Sequence, residues 1–232
     1  MKMLNMIKRL IPVLILTGGI LIISYLLFVR PAILKLGVKD KELNMNLTGD
    51  ELVISPDMEY MQAITIYAPR ELIWKYLIQV GYKRGGWYNL DFINRMTAKD
   101  YFYENNKSAD RIIPELQNLK VNDKIYLNPN LNLDVSVLKE NKVMLLTVNE
   151  EDKYLVSWVY SLKEISQDKS RLYVRWKSNL GSNILLKMIN TFFIEPGSAI
   201  QQSFMLRGIK KRTESFTGAK RKGINNVKYP GN

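Results

Sequence analysis

The chain has 232 residues, with 34 Lys or Arg against 22 Asp or Glu, a net charge of +12, and neither His nor Cys. The absence of His and Cys excludes disulfides, thiol nucleophiles, His-assisted triads, haem held by His and His/Cys zinc sites, so no cofactor or metal is expected. Any acid–base chemistry must fall to Asp, Glu, Lys or Tyr, and a hydrophobic content of 47% is too high for a disordered chain.

The charge is unevenly placed. Lys2, Lys8 and Arg9 precede an apolar run, and from Arg207 onward eight basic residues face only Glu214. The body between Arg30 and Leu206 is close to neutral. The chain reads as a basic N-terminal tail (1–9), an apolar segment (10–29), a connector (30–60), one domain (61–214) and a basic C-terminal tail (215–232).

Leu10 to Val29, LIPVLILTGGILIISYLLFV, is 20 residues without a charge. As a helix at about 1.5 Å per residue it spans about 30 Å, the hydrocarbon thickness of a bilayer. Pro12 falls in its first turn, where a missing N–H costs little. A cleaved signal peptide usually has a shorter apolar core and ends in small residues. The exit here is SYLLFVRPAIL, so an uncleaved single-pass anchor in the cell membrane is expected. Basic residues flank both ends about equally, so charge asymmetry does not orient it.

The connector shows little periodicity, and a chain beginning near Leu47 is expected to fold without it. Gln62 to Tyr67 alternates and is rich in β-branched residues, which predicts a strand. Ala68-Pro69 opens a predicted helix that Gly81 ends. Gly85-Gly86 leads to a short helix predicted over Trp87–Met96, followed by a loop to Lys107. A further helical piece is predicted over Ala109–Asn118, capped by Ser108. Strands follow at Lys124–Leu127, Leu131–Val137, Val143–Val148, Tyr154–Ile165 and Arg171–Lys177. Trp158 and Tyr160 share one face, and Trp176 shares a face with Leu172 and Val174. Arg171, Tyr173, Arg175 and Lys177 occupy the other, so the sheet is expected to have one covered and one wet face. Ile184–Ile194 reads as helix, interrupted by Glu195-Pro196-Gly197. A second helical piece runs from Ser198 to about Thr213, with Phe204 and Met205 on one side.

Strand, helix, helix, antiparallel strands and a long closing helix make an α+β order in which the last helix must cover a curved sheet. Trp158, Tyr160 and Trp176 suit either a pocket wall or a solid core. The segments ITIYAPRELIWKYLIQVGYKRGGWY (64–88), SADRIIPELQNLKVND (108–123) and EPGSAIQQSFMLRGIKKR (195–212) resemble a bacterial, membrane-anchored subgroup of the SRPBCC superfamily (START-like, Bet v 1-like and polyketide cyclase-like proteins). The likeness covers roughly residues 48–213. It implies a helix-grip fold: a curved antiparallel sheet wrapped on a long C-terminal helix. It also implies a ligand pocket between the two, but does not choose a function among the superfamily's carriers, receptors and cyclases.

The candidate ligand-binding residues are Trp87, Tyr88, Asp91, Arg111, Glu115, Trp158, Tyr160, Trp176, Phe204 and Met205. The turn at Lys83–Tyr88 reads either as a pocket mouth or as a helix–helix corner with a buried Trp. Arg111 reads either as a headgroup clamp or as a structural pin. Lys210, Lys211, Arg212, Lys220, Arg221 and Lys222 are candidates for contact with anionic lipid, and a solvated tail is the alternative. No nucleic-acid module is recognisable. Three functions stay open. The first is non-covalent binding or transfer of a hydrophobic small molecule or lipid beside the bilayer. The second is a polyketide cyclase-like enzyme with Asp91 or Glu115 as base, and the third a ligand-free interaction domain.

Overall fold

A computed structural model describes residues 2–104, 106–151, 153–179 and 183–221. The N-terminal helix α1 (Lys2–Ser24) continues through a π-helical stretch, Tyr25–Val29, into α2 (Arg30–Leu34). Leu10–Leu34 is long and apolar enough to cross a membrane. Its side chains from Leu10 to Val29 are almost all outward and unpacked, and only the last turn enters the domain, where Leu34 packs with Tyr60 and Ala199.

Six antiparallel strands form one sheet: β1 (Met58–Ile66), β2 (Lys124–Asn128), β3 (Leu131–Lys139), β4 (Val143–Glu150), β5 (Lys153–Ser166) and β6 (Lys169–Ser178), in the order β1-β6-β5-β4-β3-β2. Register shifts in the β2–β3, β3–β4, β4–β5 and β5–β6 pairs mark bulges, which deepen the curl. Across β5 and β6, Trp158 pairs with Trp176 and Tyr160 with Val174, so the alternation places their side chains on the concave face. Two short helices, α3 (Arg70–Leu77) and α4 (Asp91–Thr97), lie between β1 and β2. The predicted helix over Ala109–Asn118 shrinks to a 3₁₀ turn at Pro114–Leu116, because its polar groups are taken up by Gln79 rather than by a helix.

The last helix differs from expectation in one respect. α5 (Ile184–Ile189), a π-helical stretch Asn190–Ile194 and α6 (Glu195–Arg221) are continuous, and Glu195-Pro196-Gly197 does not interrupt them. Pro196 falls in the first turn of α6, straight after the π stretch, where the ordinary hydrogen-bond ladder is already shifted. Gly208 sets how closely α6 approaches the turn between α3 and α4: a Cβ there would lie 2.1 Å from the Tyr88 carbonyl oxygen. The fold is a helix grip.

The convex face is not wet. The segment from Val38 to Val53 covers it, with Val38, Met45, Leu47 and Leu52 packed on Met61, Ala63, Leu145, Val159 and Tyr173. Arg171 and Arg175, expected to face solvent, are only 6% and 7% exposed. Arg171 pairs with Glu42 at 2.6 Å and donates to the Gly37 carbonyl, while Arg175 pairs with Asp50. The connector is therefore part of the domain, and a chain beginning near Leu47 would leave Arg171 buried without its carboxylate.

Candidate functional site

Between the concave face, α4 and the start of α6 lies a cavity of about 260 Å³. Its floor is aromatic. Trp87 and Trp158 stack with ring centroids 5.1 Å apart, Trp176 meets Trp158 edge-on at 5.2 Å, and Tyr60 stacks on Trp176 at 6.3 Å. The Trp158 indole N–H donates to Gln202 Oε1 at 2.9 Å, which holds the ring against α6. Met205 and Tyr101 complete the buried wall. The partly exposed rim carries Asn89, Thr97, Asn128, Ser198 and Gln201, all uncharged.

Among the described residues, no Asp, Glu, Lys or Arg lines this cavity. The two ionisable groups present are tyrosines. Burial pushes the Tyr60 hydroxyl far above its ordinary value, helped by Glu195, and burial does the same to Tyr101. Both stay neutral, the Tyr101 hydroxyl already donates to the Leu127 carbonyl, and neither can serve as a base near neutrality. The buried Trp87 indole N–H forms no hydrogen bond of ordinary geometry, and the acceptor it acts on is the Tyr101 hydroxyl, so this donor at the cavity floor is under-satisfied.

Of the residues named from sequence, Trp87, Trp158, Trp176 and Met205 line the cavity. The others lie elsewhere. Tyr160 is fully buried behind it, its hydroxyl toward Met205 Sδ. Phe204 faces the opposite side of α6, in an apolar groove against Phe28, Val29 and Ile33. Tyr88 belongs to the corner: its hydroxyl donates to the Tyr76 carbonyl at 3.1 Å and accepts from Gln79 at 2.8 Å. Asp91 accepts from both the backbone N–H and the hydroxyl of Ser108, at 3.0 and 2.6 Å, and Ser108 Oγ in turn accepts from the Tyr88 N–H. Arg111 pairs with Glu104, and Glu115 is exposed on the 3₁₀ turn.

The GGWY turn and the SADRIIPELQ segment thus form one hydrogen-bonded corner. Gln79 ties the two together, donating to Tyr88 and the Arg111 carbonyl and accepting from the Ile113 N–H and Gln117. Gly86 has φ +77°, and a Cβ there would sit 2.5 Å from Ser108 Oγ. The turn is a corner that positions Trp87, not a mouth.

Lys210 and Arg212 are engaged within the domain. Lys210 donates to the Thr65 carbonyl and pairs with Glu214. Arg212 donates to the Ser108 and Ala109 carbonyls, pairs with Asp110 at 3.1 Å and lies over the Tyr88 ring. Lys211 lies on the exposed side of α6. All three are four to five helical turns beyond Glu195, at the end of α6 remote from the apolar helix. The side chains of Lys220 and Arg221, and the whole of Lys222, fall outside the described residues. Among the described residues no cluster of three or more Asp or Glu side chains forms a metal site.

No family model matches the chain, and no curated protein matches it. Among solved structures it is similar to protein NE0264 from Nitrosomonas europaea, with 11% identity over 71% of this chain and 99% of that one and a TM-score of 0.43. It is also similar to the Polyketide_cyc-like protein Cgl2372 from Corynebacterium glutamicum, with 13% identity over 73% and 97% of the two chains and a TM-score of 0.33. A third similarity is to the self-sacrificing resistance protein CalC from Micromonospora echinospora, with 14% identity over 67% and 96% and a TM-score of 0.36.

Proposed function

We propose that this chain is a single-pass membrane protein whose domain holds a neutral, mostly apolar small molecule or lipid chain between sheet and α6, without covalent chemistry. The observation that carries this reading is the cavity lining: three indoles and Met205 inside, uncharged polar groups at the rim, and, among the described residues, no carboxylate or cation. Its volume lies just under the ~300–1,000 Å³ of ligand sites for drug-sized molecules. The under-satisfied Trp87 N–H, which meets the Tyr101 hydroxyl without ordinary hydrogen-bond geometry, favours a ligand with a single acceptor, such as a hydroxyl, ketone or ester oxygen. Asp91 and Glu115, the bases that a cyclase reading needs, point away from the cavity, which leaves that reading without its acid–base group.

Native mass spectrometry of the full chain released from lipid nanodiscs tests this. A fatty alcohol should give a one-to-one non-covalent adduct, and the matching carboxylate should bind much more weakly, because nothing in the lining neutralises it. Trp87→Phe keeps an aromatic ring, though a smaller one, and removes the donor, so it should weaken the alcohol several-fold. Absence of any adduct, or equal binding of alcohol and carboxylate, would overturn the reading.

A further inference from the structure

The segment Ile184–Ile194 has no use in the fold described so far. Seven of its eleven residues are large apolar side chains exposed on the surface: Ile184, Leu185, Leu186, Met188, Ile189, Phe193 and Ile194, with Phe193 at 73%. Soluble surfaces rarely keep so dense an apolar patch uncovered. The segment is also not free-standing. Phe192 stacks on Tyr25 at 5.4 Å, and the Tyr25 hydroxyl donates to the Thr191 carbonyl at 2.9 Å. One turn on, Arg30 pairs with Glu195 at 2.5 Å, and beyond that Ala199 and Ser203 line one groove with Ile33 and Leu36. The two helices therefore run side by side in the same direction. From Thr191 back to Ile184 the segment extends about two more turns away from the domain, along the stretch occupied by the apolar run.

We infer that Ile184–Ile194 is a second membrane-embedded segment, seated in the same bilayer leaflet as the domain-proximal half of the anchor. The inference rests on the reading of Leu10–Leu34 as a membrane span. The occupant of the apolar face is acyl chain, because the face continues the surface of a helix whose own length and apolarity match the bilayer. Eleven residues rise about 16 Å, too little to cross a hydrocarbon core of about 30 Å, so the segment enters the bilayer without spanning it. The charges fit that depth. Lys187, the segment's lone ionisable group, reaches to Asp57 beside the start of β1 at 4.0 Å, as a snorkelling lysine does. Arg30 and Glu195 pair where both helices leave the apolar zone.

Ser198, on the cavity rim, lies four residues past Ile194, about 6 Å along the helix. The cavity mouth then sits at the bilayer surface, and its ligand exchanges with the membrane without crossing bulk water. The ligand class narrows to a lipid or lipid-dissolved molecule.

The chain has no cysteine, so single cysteines can be introduced into the full-length protein without background. Phe193→Cys and Leu185→Cys test the segment, Leu16→Cys tests the anchor, and Glu140→Cys in the β3–β4 turn serves as the aqueous reference. Each is labelled with an environment-sensitive nitrobenzoxadiazole and reconstituted into phosphatidylcholine vesicles with and without acyl-brominated phosphatidylcholine. Unchanged tryptophan emission confirms that each variant is folded. Labels at 185, 193 and 16 should be blue-shifted and quenched by the brominated acyl chains, and the label at 140 should be neither. Quenching at 16 with solvent-like emission at 185 and 193 overturns the inference and leaves the anchor standing. Blue-shifted labels at 185 and 193 without quenching mean that protein covers the face, which also overturns it. Loss of quenching at 16 would remove the anchor reading and the inference together.

Discussion

Replacing Glu42 by Ala should cost this protein more than any substitution on the cavity rim. The carboxylate accepts from Arg171 Nη2 at 2.6 Å and Nε at 3.2 Å, from the Tyr173 hydroxyl at 3.1 Å and from the Lys39 N–H at 2.9 Å, all beneath the connector. Without it Arg171 stays buried with only the Gly37 carbonyl and Thr65 hydroxyl as partners. Breaking a buried pair from one side costs about 3–5 kcal/mol, because an uncompensated charge remains. At roughly 2–4 °C per kcal/mol for a domain of this size, the midpoint should fall by about 6–20 °C. Thermal unfolding of the full chain in detergent, followed by tryptophan emission, measures it. The double variant Glu42→Ala with Arg171→Met removes the stranded charge and should recover most of the loss. The dependence on pH has a definite sign. Burial alone would raise the Glu42 carboxyl, but hydrogen bonds from Arg171, the Lys39 N–H and Tyr173 outweigh it and hold the group below its usual value. Its contribution is therefore complete above the unfolded pKa of about 4.3 and is lost as pH falls through the lower folded value. Parent and Glu42→Ala should converge in acid. A midpoint change under about 2 °C at pH 7, or a gap that widens on acidification, would refute the reasoning.

A chain starting at Arg30 keeps the Arg30–Glu195 pair and Leu34 and should unfold cooperatively, whereas one starting at Leu47 should aggregate or bind a hydrophobic dye, since it lacks Val38, Glu42 and Met45; denaturant titration of both compares them. Gly208→Ala should destabilise by about 1–3 kcal/mol or more, because its Cβ would overlap the Tyr88 carbonyl. Gly218→Ala, with nothing within 4 Å, should be neutral or mildly stabilising in the same titration. Trp158→Ala, buried and bonded to Gln202, should cost about 3–5 kcal/mol. Trp176→Ala, half-buried at the cavity, should cost clearly less; equal losses would mean that the cavity is closed core.

Much of this protein follows from local chemistry. An uncharged run of 20 residues is a helix of membrane length in any surroundings, and strict alternation at Trp158, Tyr160, Val174 and Trp176 selects one face of a sheet whatever covers it. The aromatic part of the cavity was accordingly legible. Tyr60, Asn89, Thr97, Tyr101 and Gln202 were not, because they reach the same space from β1, the turn before α4, the end of α4, the loop after it and α6. Gln202 left one faint signal, a polar residue at helical spacing from buried Ala199, Met205 and Ile209. Charged residues misled most. Asp91, Arg111 and Arg212 carry the same side chains whether they face a ligand or pin a corner, and only the neighbours that folding supplies distinguish the two. The connector is the clearest case. Its apolar residues are too irregularly spaced to show a period, so nothing local marks it as part of the core. It becomes so because the convex face of the sheet offers Arg171 and Arg175 no water, and Glu42 and Asp50 are the carboxylates the chain brings within reach.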